Sequence, residues 1–270
     1  MPGVAVIGNT SRDVVAGAPP RVGGPAFHAG RGLRLLGSRA RLVTRCAAAD
    51  RRPLLSRVIS LGLPVTWSPG ELTAAFSFAY EGEIRRMAVD ALGDPWTPAE
   101  ARGWAGRGLG SADWVLVGGL VRTDFPAETL AELGHGRRLL LDGQGLARPG
   151  RTGPVEVDGD VDPDVFRFAT ALKLSEREAT ALAGSPEPDA VRALGVAEVI
   201  VTFGSGGSLV VTPSGTERIP VRPVESRDPT GSGDAFAAAY ADARAAGHAP
   251  ASAARRASAL VSALLLGTTR

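Results

Sequence analysis

Arg227-Asp228-Pro229-Thr230-Gly231-Ser232-Gly233-Asp234-Ala235-Phe236 runs out of a loop into an alanine-rich stretch that continues Ala237-Ala238-Ala239-Tyr240. The proline and the two glycines make a turn, and the apolar run after them predicts a helix starting near Ser232. The first N–H groups of a helix have no partner within it, and the aligned peptide dipoles place about half a positive charge there. Glycine at 231 and 233 lets a ligand come close to the backbone, so the turn suits an anion. Asp234 stands just inside, where its carboxylate faces whatever the N–H groups hold. Donors for a charged group beside a base point to phosphoryl transfer. The rival reading is a glycine-rich loop whose early aspartate only complements the dipole. No lysine follows the glycines, so this is not the GxxxxGK[ST] phosphate loop. Its position late in the sequence also argues against a dinucleotide fingerprint.

Outward from that turn, the pattern alternates strand and helix. Val4–Ile7 predicts a buried first strand ending in Gly8-Asn9, and Gly23-Gly24-Pro25 opens a helix that Gly37 stops. Arg41–Cys46, Trp114–Val117, Arg138–Leu141, Ala171–Leu174 and Val199–Phe203 predict further strands, and Ser208–Thr212 pairs back on the last of them. Helices are expected at Leu54–Leu61, Phe125–Leu133 and Glu176–Ala183, and at about 232–246 and 250–266. This order argues for a parallel sheet covered by helices. Residues 64–90 break the rhythm with a hairpin that turns at Glu81-Gly82-Glu83. It is either an edge extension of the sheet or a flap over a site. The Pro/Gly/Asp-rich stretch 147–164 reads as a surface loop, and no linker divides the chain. Ligands of open parallel sheets bind beyond the carboxyl ends of the strands. Asp13, Gly23-Gly24, Gly118-Gly119, Asp142 and Gly204 follow strands on this reading, which puts them on one rim with the 231–234 turn.

The totals exclude several classes. At 270 residues the chain can bury a substantial core as one large domain. Its net charge is only +2, and its arginines are dispersed, which gives nucleic-acid binding little support. The pairs Arg51-Arg52, Arg85-Arg86, Arg137-Arg138 and Arg255-Arg256 read as solvated faces. One of the thirty basic residues, Lys173, is a lysine. Cys46 is the single cysteine, which rules out an internal disulfide, and the three histidines show no metal-ligand spacing. No signal peptide and no apolar run of about 20 residues is present. A cytoplasmic protein without membrane partners is expected.

With these elements in place, the chain resembles the PfkB (ribokinase-like) carbohydrate kinase family. DPTGSGDAF matches that family's C-terminal signature, Gly23-Gly24 and the following helix match its N-terminal one, and VTFGSGGSLVV resembles its nucleotide-side strand-turn-strand. The resemblance implies a single ribokinase-like α/β domain over 1–270. It would have three α/β/α layers, a mainly parallel central sheet, and the 64–90 hairpin as a small lid. It implies transfer of the ATP γ-phosphate to a hydroxyl of a sugar, polyol or nucleoside, with Mg²⁺ and, in parts of the family, a monovalent cation. Asp234 would be the general base, and the N–H groups of Gly231, Ser232 and Gly233 the anion hole. Asp13, Gly23 and Gly24 would bind the acceptor, while Thr202, Gly204, Gly207 and Thr230 match positions along the nucleotide. Glu178 matches the glutamate of the family's Asn-x-x-Glu motif, associated with magnesium and phosphate.

Two residues depart from the family pattern. His28 stands where asparagine is usual and reads either as an ordinary helix residue or as a hydroxyl contact. Ser175 replaces the asparagine of Asn-x-x-Glu. The short segment between Asp13 and Gly23 leaves little room for long lid strands, so dimerisation through paired lids is disfavoured; a monomer or homodimer is expected. DGQGLAR at 142–148 resembles the Asp-x-Gln-(Gly/Ala)-Leu-x-Arg stretch of myo-inositol kinases, which makes Gln144 either a substrate contact or a loop cap. The leading expectation is a cyclitol kinase. Ribose-like sugars and nucleosides are alternative acceptors, the latter through stacking on Phe76, Phe78 or Tyr80. A catalytically weak binding homologue is the alternative of another class.

Overall fold

A computed structural model describes residues 3–15, 18–81, 84–224 and 229–267. Arg227 and Asp228 of the opening motif lie outside the described residues, as do the side chains of Tyr80 and Arg85. The chain runs β1 (Gly3–Ile7), β2 (Ser11–Val15), β3 (Arg21–Gly23), α1 (Pro25–Leu35) and β4 (Arg41–Ala47), then α2 (Ser56–Ile59). β5 (Val65–Gly70), β6 (Ala74–Glu81) and β7 (Ile84–Ala91) precede α3 (Pro98–Arg102) and α4 (Trp104–Leu109). Next come β8 (Ala112–Val117), α5 (Ala127–Leu133), β9 (Arg138–Asp142), α6 (Gly143–Ala147) and β10 (Gly153–Pro154). β11 (Ala169–Ser175), α7 (Glu176–Ala183), α8 (Pro188–Arg192) and β12 (Glu198–Thr202) follow. The chain closes with β13 (Ser208–Thr212), β14 (Gly215–Ile219), α9 (Ser232–Ala245) and α10 (Pro250–Gly267).

The main sheet has the order β14-β13-β12-β11-β9-β8-β1-β4-β5, parallel from β12 to β5 and antiparallel at β13 and β14. Its central strands are continuous apolar runs because both faces are covered. Alternation sorts them: Val4 and Val6 pack with α1, α2, α9 and α10, whereas Ala5 and Ile7 pack with α3 to α8. The three α/β/α layers expected from the sequence are therefore present. The alanines of α9 let it approach closely, and Gly32 of α1 faces Ala235. A buried cluster anchors α9 to the sheet. The Tyr240 hydroxyl donates to Glu198 Oε2 at 2.7 Å, and Arg244 Nη2 donates to Glu198 Oε1 at 2.6 Å. The helix whose first turn carries Asp234 is thus fixed from its far end. Among the described residues, no helix is long and apolar enough to cross a membrane.

A second sheet, in the order β10-β7-β6-β2-β3, overturns part of the sequence reading. The expected 64–90 hairpin divides: β5 is the edge strand of the main sheet, and the hairpin proper is β6–β7. β2 pairs in parallel with β6, and β3 pairs with β2, so the short Asp13–Gly23 segment does contribute lid strands. The 147–164 stretch also supplies β10, and Val155 N–H donates to Met87 O at 2.8 Å. This sheet has its own small core of Ala74, Phe76, Phe78 and Val89, closed by Leu120 and Val121 from the loop after β8. It therefore packs over the carboxyl ends of the main strands.

Candidate active site

Beneath the second sheet lies a cavity of about 530 Å³ whose walls include Asp13, Gly24, His28, Gln144 and the turn 229–234. Asp13 reaches it from β2 rather than from the end of β1, because Ser11–Val15 leaves the main sheet to pair with β6. Its carboxylate is buried; Ser11 Oγ donates to Oδ1 at 2.7 Å, and Gly23 supplies the bare backbone against which it lies. Gly24 caps α1 at φ 88°, with Asn9 O occupying the space a side chain would need. His28, in the first turn of α1, lays its ring directly on Gly231. Gln144 lies on α6 rather than in a loop, and its Oε1 accepts from Arg148 Nη2 at 2.9 Å. Phe76 and Phe78 line the same space, and so does Arg86, which the sequence had assigned to a solvated face.

The turn itself has the expected form with one correction. Gly231 is the left-handed N-cap of α9, at φ 79°, and Asp234 falls in the first turn. The N–H of Ser232, however, donates to Pro229 O at 3.1 Å, so that member of the expected trio is engaged within the turn. The donors of Gly231 and Gly233 remain from the set read in the sequence. Burial pushes Asp234 up to about 7; Asp142 adds to the shift, Lys173 and Arg148 oppose it, and Asp13 adds to it. Burial disfavours the charged form of a carboxyl group, and a second carboxylate nearby adds to that resistance.

On the other side of the turn is a cavity of about 260 Å³ lined by Thr202, Gly204, Gly207, Phe236, Val221, Val224 and Leu265. Thr202 Oγ1 donates to Leu174 O at 3.2 Å at the end of β12. Gly204 and Gly207 both hold positive φ in the β12–β13 connection, where they keep the backbone open. Thr230, expected beside Thr202, Gly204 and Gly207, lines the 530 Å³ cavity instead.

Glu178 has a local task. Its Oε2 accepts from Ser175 N–H at 2.8 Å, and Ser175 Oγ accepts from Glu178 N–H at 3.3 Å, a capping box at the start of α7. The serine that replaces the family asparagine thus caps the helix. Ser175→Ala is expected to cost about 1 kcal/mol of stability, seen as a lower urea midpoint at unchanged slope. Among the described residues, no group of three or more His, Cys, Asp or Glu is arranged to hold a metal. Magnesium keeps several waters and takes only one or two carboxylates beside substrate phosphates, so Glu178 fits a contact of that kind.

Lys173 was missed as a site residue. It is buried at the end of β11, with Nζ 3.3 Å from Asp142 Oδ1. Its one signal in the sequence was compositional, as the lone lysine in an arginine-rich chain.

Residues 107–268 match the model of the pfkB family carbohydrate kinases. No curated protein matches the chain. Solved structures similar to it include a pyrophosphate-dependent kinase in the ribokinase family, complexed with a pyrophosphate analog and myo-inositol. That protein shares 21% identity at a TM-score of 0.84, over 97% of this chain and 95% of the other. The nucleoside kinase of Burkholderia thailandensis with inosine shares 22% identity at a TM-score of 0.76, over 98% and 91%. Ribokinase of Arabidopsis thaliana with ribose and ATP shares 19% at 0.75, over 98% and 93%. At these identities the likeness is one of fold.

Proposed function

We propose that this chain, which belongs to the pfkB family of carbohydrate kinases, uses ATP and Mg²⁺ to phosphorylate a small cyclitol, with myo-inositol as the leading acceptor. Membership makes it a phosphotransferase with a hydroxyl acceptor. The observation that carries the finer reading is the shared wall: Pro229, Ser232 and Gly233 line both the 530 Å³ and the 260 Å³ cavities. A donor in the smaller space and an acceptor in the larger would meet at the turn, beside Asp234.

On this reading Asp234 takes the proton of the attacking hydroxyl, and the N–H groups of Gly231 and Gly233 face the charge on the phosphoryl group in transit. Asp13 accepts hydrogen bonds from acceptor hydroxyls, which suits a polyol because a carboxylate serves two neighbouring hydroxyls at once. His28 and Gln144 flank the same cavity as further polar contacts. Glu178 would hold magnesium through its water shell; bound there, the ion neutralises donor charge.

Two choices stay with the site. The apolar walls of the smaller cavity (Val221, Val224, Phe236 and Leu265) support a nucleotide base, and hence ATP. Pyrophosphate, on which a structural neighbour depends, would leave those apolar walls unfilled and would call on basic side chains such as Arg222, which lines the same smaller cavity. Phe76 and Phe78 keep a nucleoside or ribose-like acceptor as the second reading. The deciding experiment is turnover measured with ATP and with pyrophosphate across cyclitols, pentoses, hexoses and nucleosides. ATP-driven phosphorylation of a cyclitol is the expected result. A pyrophosphate-only enzyme, or a nucleoside acceptor, replaces the corresponding half of the reading. Ligand binding without turnover of any pair would mark a binding homologue.

A further inference from the structure

Thirty residues of this chain are basic and one of them is a lysine. That lysine is one of the most buried charges in the molecule, with its side chain 6% exposed. It extends from β11 to the back of the glycine turn, where a Cβ on Gly233 would come within 2.9 Å of Nζ. Gly233 has no positive φ, and its bare backbone leaves the ammonium room to lie against the turn. A planar guanidinium is wider than an ammonium, and every other basic side chain outside the histidines is an arginine, so the lysine is a local choice.

We propose that Lys173 is a positioning residue: its buried ammonium, held behind the glycine turn by Asp142, keeps the Asp234 carboxylate ionised for its work as a base. The proposal rests on the kinase reading above. The charges that face it are Asp142 from the β9–α6 junction, Glu178 from α7 and Asp234 from α9. Burial alone would push the ammonium toward deprotonation, but these three acids outweigh it and hold it charged. Asp234 in turn faces Asp142, Lys173, Arg148 and Asp13, with the His28 ring on neighbouring Gly231 and Arg177 on the cavity wall. Three carboxylates crowd one buried region, and Lys173 is the cation that faces all three. Without it, Asp142 and Asp234 could not both remain ionised at little cost, and Asp234 would keep its proton well above neutral pH.

The test is a carboxyl-carbon NMR titration of Asp234 in the full chain labelled at aspartate, with the resonance identified by its loss in Asp234→Asn. In Lys173→Gln the midpoint is expected to rise by roughly one to three pH units, the span an adjacent opposite charge commands. Lys173→Arg, if folded, should return it toward wild type. The acid limb of the kcat profile should move with the midpoint, which simple loss of packing would not produce. An unmoved midpoint overturns the proposal. Should Lys173→Gln fail to fold, Asp142→Asn and Asp142→Asn/Lys173→Gln give the same comparison at one less buried carboxylate, with the same rise expected and the same null result decisive. Because the titration needs no turnover, its failure is distinct from failure of the kinase reading, which shows as inactivity of the wild-type chain on the donor and acceptor panel.

Discussion

Replacing Asp234 with asparagine is expected to lower kcat by about 10²- to 10⁴-fold, the usual contribution of a positioned general base, while ATP affinity stays near that of the parent. The amide keeps the size of the carboxylate and its place in the first turn of α9, so the turn and the smaller cavity are preserved. What is lost is the ability to take a proton. The parent enzyme should show the matching pH dependence. Asp234 is raised to about 7, first by burial and then by Asp142, and a base in the proposed role works only when ionised. Turnover should therefore be low where the group is protonated, rise with pH through about 7, and level off above it. Initial rates over that range, with calorimetric titration of ATP into the variant, check both halves. Near-parental turnover in Asp234→Asn would remove this residue from the chemistry.

Local pattern carried the parallel sheet and its helices because each central strand declares itself. Val4–Ile7 and Val199–Val201 are short continuous apolar runs, Ala171–Leu174 is interrupted only by Lys173, and the helix at Glu176–Ala183 has a cap and a left-handed glycine at its ends. The lid was only half legible. Ser11–Val15 is short and polar, and its partner Ala74–Phe78 lies some sixty residues away, so no local period records the pairing. Gly153–Pro154 is two residues long and carries no strand signal at all. Val65–Gly70 contains Pro69 and was assigned to the hairpin. In the fold it is the outer strand of the main sheet, where a missing N–H on the open side costs little.

The same division holds for the site. Asp234 and its glycines were legible because a turn, a helix start and an acid are contiguous. Asp13 was identified by likeness but misplaced, since it reaches the cavity from the lid sheet. Lys173, Arg86 and Arg148 were given no site role, as their places beside the turn and the cavity depend on what lies opposite them across the fold. Asp142 shows why: on the page it is a strand-end acid, while in three dimensions it bridges Lys173 and the N–H of Gln144.

Gly231→Ala should be the most damaging of the small substitutions in the turn, with kcat falling by about 100-fold and the melting temperature dropping as well. Two separate penalties act there. Gly231 caps α9 at φ 79°, a left-handed conformation that costs an alanine roughly 1–2 kcal/mol. The methyl group would also enter the space held by the His28 ring, at Nδ1, Cγ and Cβ together. The histidine is rooted in the first turn of α1, so the turn rather than the helix has to give. A shift of about 1 Å in N–H groups that must face a moving phosphoryl group is enough to cost two orders of magnitude. The double variant Gly231→Ala/His28→Ala separates the two penalties in part, because removing the ring relieves the overlaps with Nδ1 and Cγ and leaves the contact with Cβ and the backbone cost. Its melting temperature should recover in part. Its kcat should recover only as far as the overlap, and not the backbone conformation, displaced the turn. Thermal unfolding and initial rates on the three proteins decide it. Parental activity in Gly231→Ala would mean that the turn tolerates displacement, and that the phosphoryl group is held by something other than these backbone donors.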